Sequence, residues 1–590
     1  MFRFLWDTSP VIFLAVASLM LASALIAPAI LWTQKLIIDS AEFALLEELP
    51  WTAALTPLLV MFALWTAQML TGAVNGVLQT LLQERVRIKG QSLLLETAGN
   101  LDLAFFESPR FYDQLHHARD QMYQLYSSCI GTLTLIQQFL QLSVTMGLLL
   151  VLHPLAIAVL IVTTLPDVVV QAKYARRYYT FDADLIRNSR MSFYLSDIVT
   201  NRYNAKEVRV FSLKDYFIEQ FHYFRHIYIE GYRALIMSEM KVQSVLSVLA
   251  LVGIAGIWTY AVMQLVNGEI STGDLVLVFT SSQQSRQQLA GLIRGAGRFY
   301  RNSLFVTRFF QFIDLDPLSV EGALAPPPSP NPLPFPYKIR KGIEFKDVCF
   351  TYPLTDAQIL KKVSFFVPPR GKIAIVGQNG AGKTTIIKLL TRLYDPTEGT
   401  VLVDGVDLKE YDLKQVRQNI SVVFQDFSRY DLSASLNVGL GHVSQIDDMD
   451  RIRDAAIRGG SHETIEELPE GYDTILGKRF DDGVDLSGGE WQHVAISRSF
   501  MSPAQVLILD EPTAALDALK EHQLYEKFSE LTKDKTVVFI SHRFSTVRMA
   551  DVIVVIEDGE AIEVGPHEEL LALNGKYAKM FLTQAARYVD

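Results

Sequence analysis

The chain has 590 residues, 49% of them hydrophobic and only 20% charged. It is too long for one domain, and the balance puts part of it in lipid. Lys+Arg total 54 against Asp+Glu 64, a net charge of −10 that gives no general case for nucleic-acid binding, and the two distant cysteines, Cys129 and Cys349, suggest neither a disulfide framework nor a thiolate metal site.

In chain order, residues 11–32 form a near-continuous apolar run and residues 53–74 a second. Residues 131–152 and 155–170 follow as a close pair split by His153-Pro154, and residues 244–266 are a fifth run. Each approaches or exceeds the roughly 20 residues a helix needs to cross a bilayer. The first run is longer than a usual signal-peptide core and four more follow, so it reads as a retained helix. A sixth helix is expected to start near Thr272, although only residues 275–279 are strongly apolar. Its polar residues Gln283, Gln287, Arg294, Arg298 and Arg301 fall on one narrow stripe, with Arg286 at the edge. Arg286 would sit inside the hydrocarbon, where a charge faces the bundle interior or water. Two readings fit Gln283, Arg286 and Gln287: a water-filled cavity contacting cargo, or polar packing between subunits.

Charge sets the orientation. Residues 84–119 carry Arg85, Arg87, Lys89, Arg110 and Arg119, and residues 173–241 carry many more cations, Arg176, Arg177, Lys206 and Arg209 among them. Residues 40–52 hold Glu42, Glu47 and Glu48 but no Lys or Arg. The two long connections and both termini are therefore expected in the cytoplasm. Residues 174–184 and 211–232, rich in aromatics and charges, read as membrane helices continuing into the cytosol.

Residues 325–337, APPPSPNPLPFPY, read as an extended linker. Beyond it the chain becomes α/β. Residues 343–345, 373–376, 422–424, 506–509, 537–540 and 552–556 are strand-like, as a mostly parallel sheet requires.

Gly377-Gln378-Asn379-Gly380-Ala381-Gly382-Lys383-Thr384-Thr385 fits G-x-x-x-x-G-K-[ST] between an apolar strand and a helix. Glycines let backbone N–H groups curl around phosphate oxygens, and the helix start adds to the anion site. Lys383 would reach the β- and γ-phosphates, and the Thr384 hydroxyl would bind Mg²⁺. Asp510 and Glu511 close another apolar strand. Asp510 would hold Mg²⁺, directly or through water, and Glu511 would polarise the attacking water.

Leu486-Ser-Gly-Gly-Glu490 followed by Gln492 resembles the signature of the ATP-binding cassette (ABC) proteins. Further motifs match that family in order. Tyr352 resembles the aromatic that stacks on adenine. Gln425 resembles the glutamine that senses Mg²⁺ and contacts the membrane domain. Asp517, in Ala515-Leu-Asp517, resembles the loop crossing the dimer interface, and His542 the γ-phosphate switch histidine. The resemblance implies that Ser487, Gly488 and Gly489 contact the γ-phosphate of a nucleotide held by the opposite subunit, so a chain with one cassette must pair.

The resemblance extends to the whole chain, which looks like an ABC exporter half-transporter. It implies an all-α six-helix transmembrane domain over residues 1–318, a linker at 319–340 and an α/β P-loop NTPase domain at 341–590. Residues 105–109 and 205–211 sit where the family places its coupling helices. No peptidase domain precedes Val11, so cargo cleavage is not expected. The implied partners are ATP, Mg²⁺, membrane lipid, a second copy in a homodimer and an unidentified substrate, with no nucleic acid. The expected activity is export across a bacterial cytoplasmic membrane, of a peptide or other amphipathic compound. A lipid flippase, a multidrug exporter and a cargo-free ATP-gated channel or signalling ATPase stay open. The apolar spans and acidic balance speak against a soluble ABC ATPase acting on DNA or ribosomes.

Overall fold

The computed structural model describes residues 2–46, 50–108, 115, 118, 122–152, 154–316, 322–511, 532–541 and 547–586. They form two compact units: Met1–Asn100 with Asp113–Leu315, and Leu101–Tyr112 with Asp316–Asp590.

The first unit is helical. Its main helices are α1 (Pro10–Leu46), α2 (Leu55–Gly99), α3 (Met122–Leu152), α4 (Pro154–Asp184), α5 (Ile186–Thr200), α6 (Lys214–Val266) and α7 (Thr272–Ile313). Pro154 opens α4, a position where the missing N–H costs nothing; the other half of the expected break, His153, lies outside the described residues. Among the described residues, five helices, α1, α2, α3, α4 and α6, contain spans long and apolar enough to cross a membrane. The 53 residues of α6 span about 80 Å at 1.5 Å each, far beyond a hydrocarbon core of about 30 Å. Residues 174–184 lie within α4 and residues 214–232 within α6, each continuous with an apolar span. The α7 helix starts at Thr272 and is 42 residues long, but its glutamines and arginines make it the most polar of the long helices.

Local chemistry fixes the start of α7. The Ser271 hydroxyl accepts from the Asp274 N–H while Asp274 accepts from the Ser271 N–H, a capping box. Asp39 on α1 accepts from the Ser271 hydroxyl at 2.7 Å and from the Gly273 N–H at 3.0 Å. A Cβ on Gly273 would lie 2.2 Å from that carboxylate, so only glycine permits the approach. Lys35 pairs with Asp274 across the same junction. Leu149, Leu160, Ile254, Ile257, Ala261 and Val278 then pack α3, α4, α6 and α7 around one core.

Along α7, Ser281, Ser282, Ser285, Gln288 and Ile293 are buried, and Gln283, Gln287, Arg294 and Arg298 are exposed. The expected stripe is thus one continuous exposed face, with Arg286 half-buried at its edge. The side chain of Arg301 lies outside the described ones.

In the second unit the strands are β1 (Ile343–Thr351), β2 (Gln358–Val367), β3 (Lys372–Gly377), β4 (Glu398–Val403), β5 (Val406–Asp407), β6 (Ile420–Val423), β7 (Val506–Asp510), β8 (Thr536–Ile540), β9 (Val552–Glu557) and β10 (Glu560–Gly565). One sheet has the order β10-β9-β3-β8-β7-β6, parallel except for β10 on β9. The other is antiparallel, with the order β2-β1-β4-β5. Residues 343–345 open the antiparallel sheet rather than the parallel one. Phe424 falls just past the end of β6.

The proline-rich stretch holds no helix, bends at residues 328–331, and is not loose. Leu333 donates its N–H to Glu410 O and accepts from Asp412 N–H. Phe335 is buried, its ring 5.4 Å from that of Tyr411. Residues 333–339 therefore act as a strap sealing the core of the domain that follows.

Candidate functional site

β3 lies between β8 and β9, and everything after Lys372 in it is buried. Its last residue, Gly377, backs closely on β9: a Cβ there would lie 2.2 Å from the Ile556 carbonyl oxygen. The chain turns through Gln378, Asn379, Gly380 and Ala381 into α8 (Lys383–Leu390). Gly382 caps α8 at φ 103°, a left-handed conformation that favours glycine, and a Cβ would meet Leu360 at 2.7 Å. The turn directs backbone N–H groups and a helix start toward one point, the geometry of an anion cradle.

The Lys383 ammonium donates to the carbonyls of Gly377 and Gln378, both at 2.9 Å, so it closes its own loop. Burial lowers its pKa, against the opposing charges of Glu511 and Asp510. The Thr384 hydroxyl donates to Asp510 Oδ2 at 3.4 Å. Gln425 Nε2, just past β6, donates to Glu511 Oε2 at 3.2 Å. Asp510 is 3% exposed; burial first, then the Glu511 charge, push its pKa from 3.8 up to about 6. Glu511 has φ 48°, the left-handed region, and its N–H is held by Ile540 O on β8. Strain of this kind persists where surrounding structure enforces it.

The oxygen set fits Mg²⁺. Thr384 and Asp510 supply hard oxygens 3.4 Å apart. Neighbouring ligands on an octahedral ion with ~2.1 Å bonds lie about 3 Å apart. Gln425 donates through its nitrogen to Glu511, so its amide oxygen is the end that could serve as a further ligand.

Ser487 stands at the start of α10, after α9 (Met449–Gly459); α10 is Gly488–Met501. Its hydroxyl accepts from the Glu490 N–H, and Glu490 accepts from the Ser487 N–H at 2.7 Å. Ser487 and Gly488 are exposed while Trp491 beneath them is 2% exposed. The helix start is thus a firm, outward-facing surface.

Tyr352 sits in an aromatic nest with Phe350 and Tyr394, at ring distances of 4.9 and 5.6 Å. Its hydroxyl is 3.1 Å from the Thr385 hydroxyl, which ties it to the phosphate loop. Asp517 and His542 lie outside the described residues. Sequence reasoning missed Lys388 and Tyr394 beside Tyr352. Glu107, which contacts both, lay inside the expected coupling stretch 105–109 but was given no part in the nucleotide site.

Residues 360–514 match the family profile described as ABC transporter. The second unit is an ABC transporter ATP-binding domain. Subtilin transport ATP-binding protein SpaT of Bacillus subtilis is 29% identical over 513 residues, covering 86% of this chain and 80% of that protein. An ATP-dependent lipid A-core flippase of Chromohalobacter salexigens is 34% identical over 340 residues, 58% of this chain and 56% of its own length. The mitochondrial potassium channel ATP-binding subunit of Homo sapiens is 37% identical over 320 residues, 54% of this chain and 42% of its own length. The chain thus spans about half the length of these last two relatives. The structure of a bacterial Atm1-family ABC exporter with ATP bound superposes with a TM-score of 0.83 at 23% identity, over 98% of this chain and 99% of that one. The ABC domain, an ATPase domain in this family, is therefore fused to a helical unit in the fold of an exporter half-transporter. Among the described residues, that helical unit holds five spans long and apolar enough to cross a membrane.

Proposed function

We propose that this chain is an ATP-driven exporter of the bacterial cytoplasmic membrane, working as a pair of identical copies by alternating access. One observation carries the reading: Lys383, Thr384, Gln425, Asp510 and Glu511 converge at the C-terminal ends of β3, β6 and β7. Open α/β sheets bind ligands at that edge.

In this reading the loop from Gly377 to Thr385 cradles the phosphates, and Tyr352 stacks on adenine. Lys383 exchanges the carbonyls of Gly377 and Gln378 for β- and γ-phosphate oxygens. Thr384, Asp510 and the Gln425 amide hold Mg²⁺, which supplies neutralising charge at the phosphates. Glu511 orients and deprotonates the attacking water, with His542 on the γ-phosphate. Ser487, Gly488, Gly489 and Asp517 meet the nucleotide held by the second copy, so two ATPs close the pair and hydrolysis reopens it.

A peptide cargo is favoured by the extent of similarity to the subtilin transport protein, which reaches across 86% of this chain. The second reading, movement of lipid or drug-like compounds, draws on the flippase relative. Inverted vesicles holding the purified chain test both. ATP-dependent accumulation of subtilin against its gradient, absent in Glu511→Gln, supports peptide export. Lipid translocation without peptide uptake moves the assignment to a flippase. Flow only down a gradient makes the protein a channel.

A further inference from the structure

The short segment Leu101–Tyr112 belongs to the same compact unit as the ATP-binding domain. Its helical turn Leu103–Phe106 buries Ala104 and Phe105, with Ala104 part of the domain's main core. Asp102 accepts from the Leu324 N–H at 3.0 Å. These contacts bring Glu107 to the flank of α8, where its carboxylate accepts from two groups at once. One oxygen takes the Lys388 ammonium at 2.9 Å, and the other takes the Tyr394 hydroxyl at 2.6 Å.

Both donors bear on Tyr352. The Lys388 nitrogen stands 4.9 Å from the Tyr352 ring centroid, over the ring, and 5.6 Å from that of Tyr394. Tyr394 meets Tyr352 edge to face. Burial alone would lower the Lys388 pKa, but the hydrogen bond to Glu107, with the Tyr352 and Glu107 charges, leaves it raised. The cation over the ring is thus permanent at neutral pH. Remove the Glu107 charge and that ammonium loses its anionic partner, so water competes for it. The position of the Tyr352 ring then rests on its hydroxyl bond to Thr385, on its aromatic neighbours and on a Lys388 that nothing anionic holds in place.

We propose that Glu107 is a positioning residue for recognition of the nucleotide base: through Lys388 and Tyr394 it holds the Tyr352 ring in the orientation that receives adenine. This rests on the reading of Tyr352 as the adenine platform. The turn Leu103–Phe106 with Glu107 is then part of the nucleotide site. A cation over one π-face and stacking on a neighbouring aromatic are each modest interactions, so the effect falls on binding of the base rather than on the chemical step.

The test uses the full chain in lipid nanodiscs, with ATPase kinetics and inhibition by base-free ribose 5-triphosphate. Glu107→Gln is expected to raise the KM for ATP roughly three- to tenfold, to change kcat less than twofold and to leave the inhibition constant of the base-free triphosphate in place. Built on Tyr352→Ala, it is expected to add nothing further. Tyr394→Phe removes only the hydroxyl Glu107 accepts, and is expected to raise KM in the same pattern by a smaller factor. Effects that multiply with Tyr352→Ala, or a parallel loss of the base-free ligand, overturn the proposal. An unchanged ATP KM in both Glu107→Gln and Tyr394→Phe overturns it while leaving the platform in place. An unchanged KM in Tyr352→Ala overturns the platform reading itself.

Discussion

Gln425 and Glu511 are joined side chain to side chain, the amide nitrogen of one 3.2 Å from the carboxylate of the other. The link ties the loop after β6 to the strained residue ending β7. It holds Glu511 ready at the nucleotide edge of the sheet. Glu511→Gln keeps the shape of that contact and removes the carboxylate proposed as the base. ATP binding is expected to persist while turnover falls by about 10²–10⁴. Radiolabelled nucleotide trapping beside phosphate release reads both, and near-wild-type turnover would remove Glu511 from the role.

Asp510 is buried beside a second carboxylate, and that costs stability when the domain is empty. Its folded pKa, about 6, lies above the unfolded value of 3.8. The native state therefore loses stability as pH rises from about 4 to 6, by at most about 3 kcal/mol, and the loss is complete above that window. Asp510→Asn is expected to raise the thermal midpoint of nucleotide-free, chelator-treated protein by a few degrees at pH 7.5, with a smaller gain near pH 4.5. The same variant should lose ATPase. A lowered midpoint at pH 7.5 would contradict the argument.

The helix Ala205–Val210 buries Val208 and exposes Lys206, Glu207 and Arg209. Tyr203, Val210 and Phe211 beside it are also exposed, at 89%, 76% and 67%. Such a charged and apolar knob is suited to docking. Charge reversal at Glu207 and Arg209 together should depress transport several-fold more than basal ATPase. Equal losses in a normally assembled protein would make the helix a plain folding element.

Gln283 and Gln287 share the exposed face of α7, and the half-buried Arg286 has its Nε enclosed without a hydrogen-bond partner. A polar face that long is poor material for contact with lipid. Arg286→Ala is expected to cut cargo-stimulated ATPase at least threefold while basal ATPase and assembly hold. An unchanged response to authentic cargo would assign the face to packing between copies.

The parallel sheet was legible because β3, β7, β8 and β9 are short, apolar and buried on both faces. The antiparallel sheet was not: in β2 buried Leu360, Val363, Phe365 and Val367 alternate with Lys361, Lys362 and Ser364, which masks the run. The linker reading gave no sign of the buried Phe335, because nothing local says an aromatic among prolines has a pocket. The phosphate loop announced itself through spacing. The Glu107 cluster could not, since its members meet only through the fold.

The bond between Glu107 and Lys388 joins positions 281 residues apart. On a ribosome adding about 5–20 residues per second, its second half emerges roughly 15–55 s after the first. Through that interval Ala104, which joins Ile386 and Leu389 in one core of the finished protein, has no pocket to enter. Unit two is therefore the last part of the chain that can mature, and its earliest piece must be kept from wrong partners until the α8 region is made. Slow or stalled synthesis across residues 340–390 would leave that apolar turn without its core, a vulnerability set by chain order and not by the stability of the final fold.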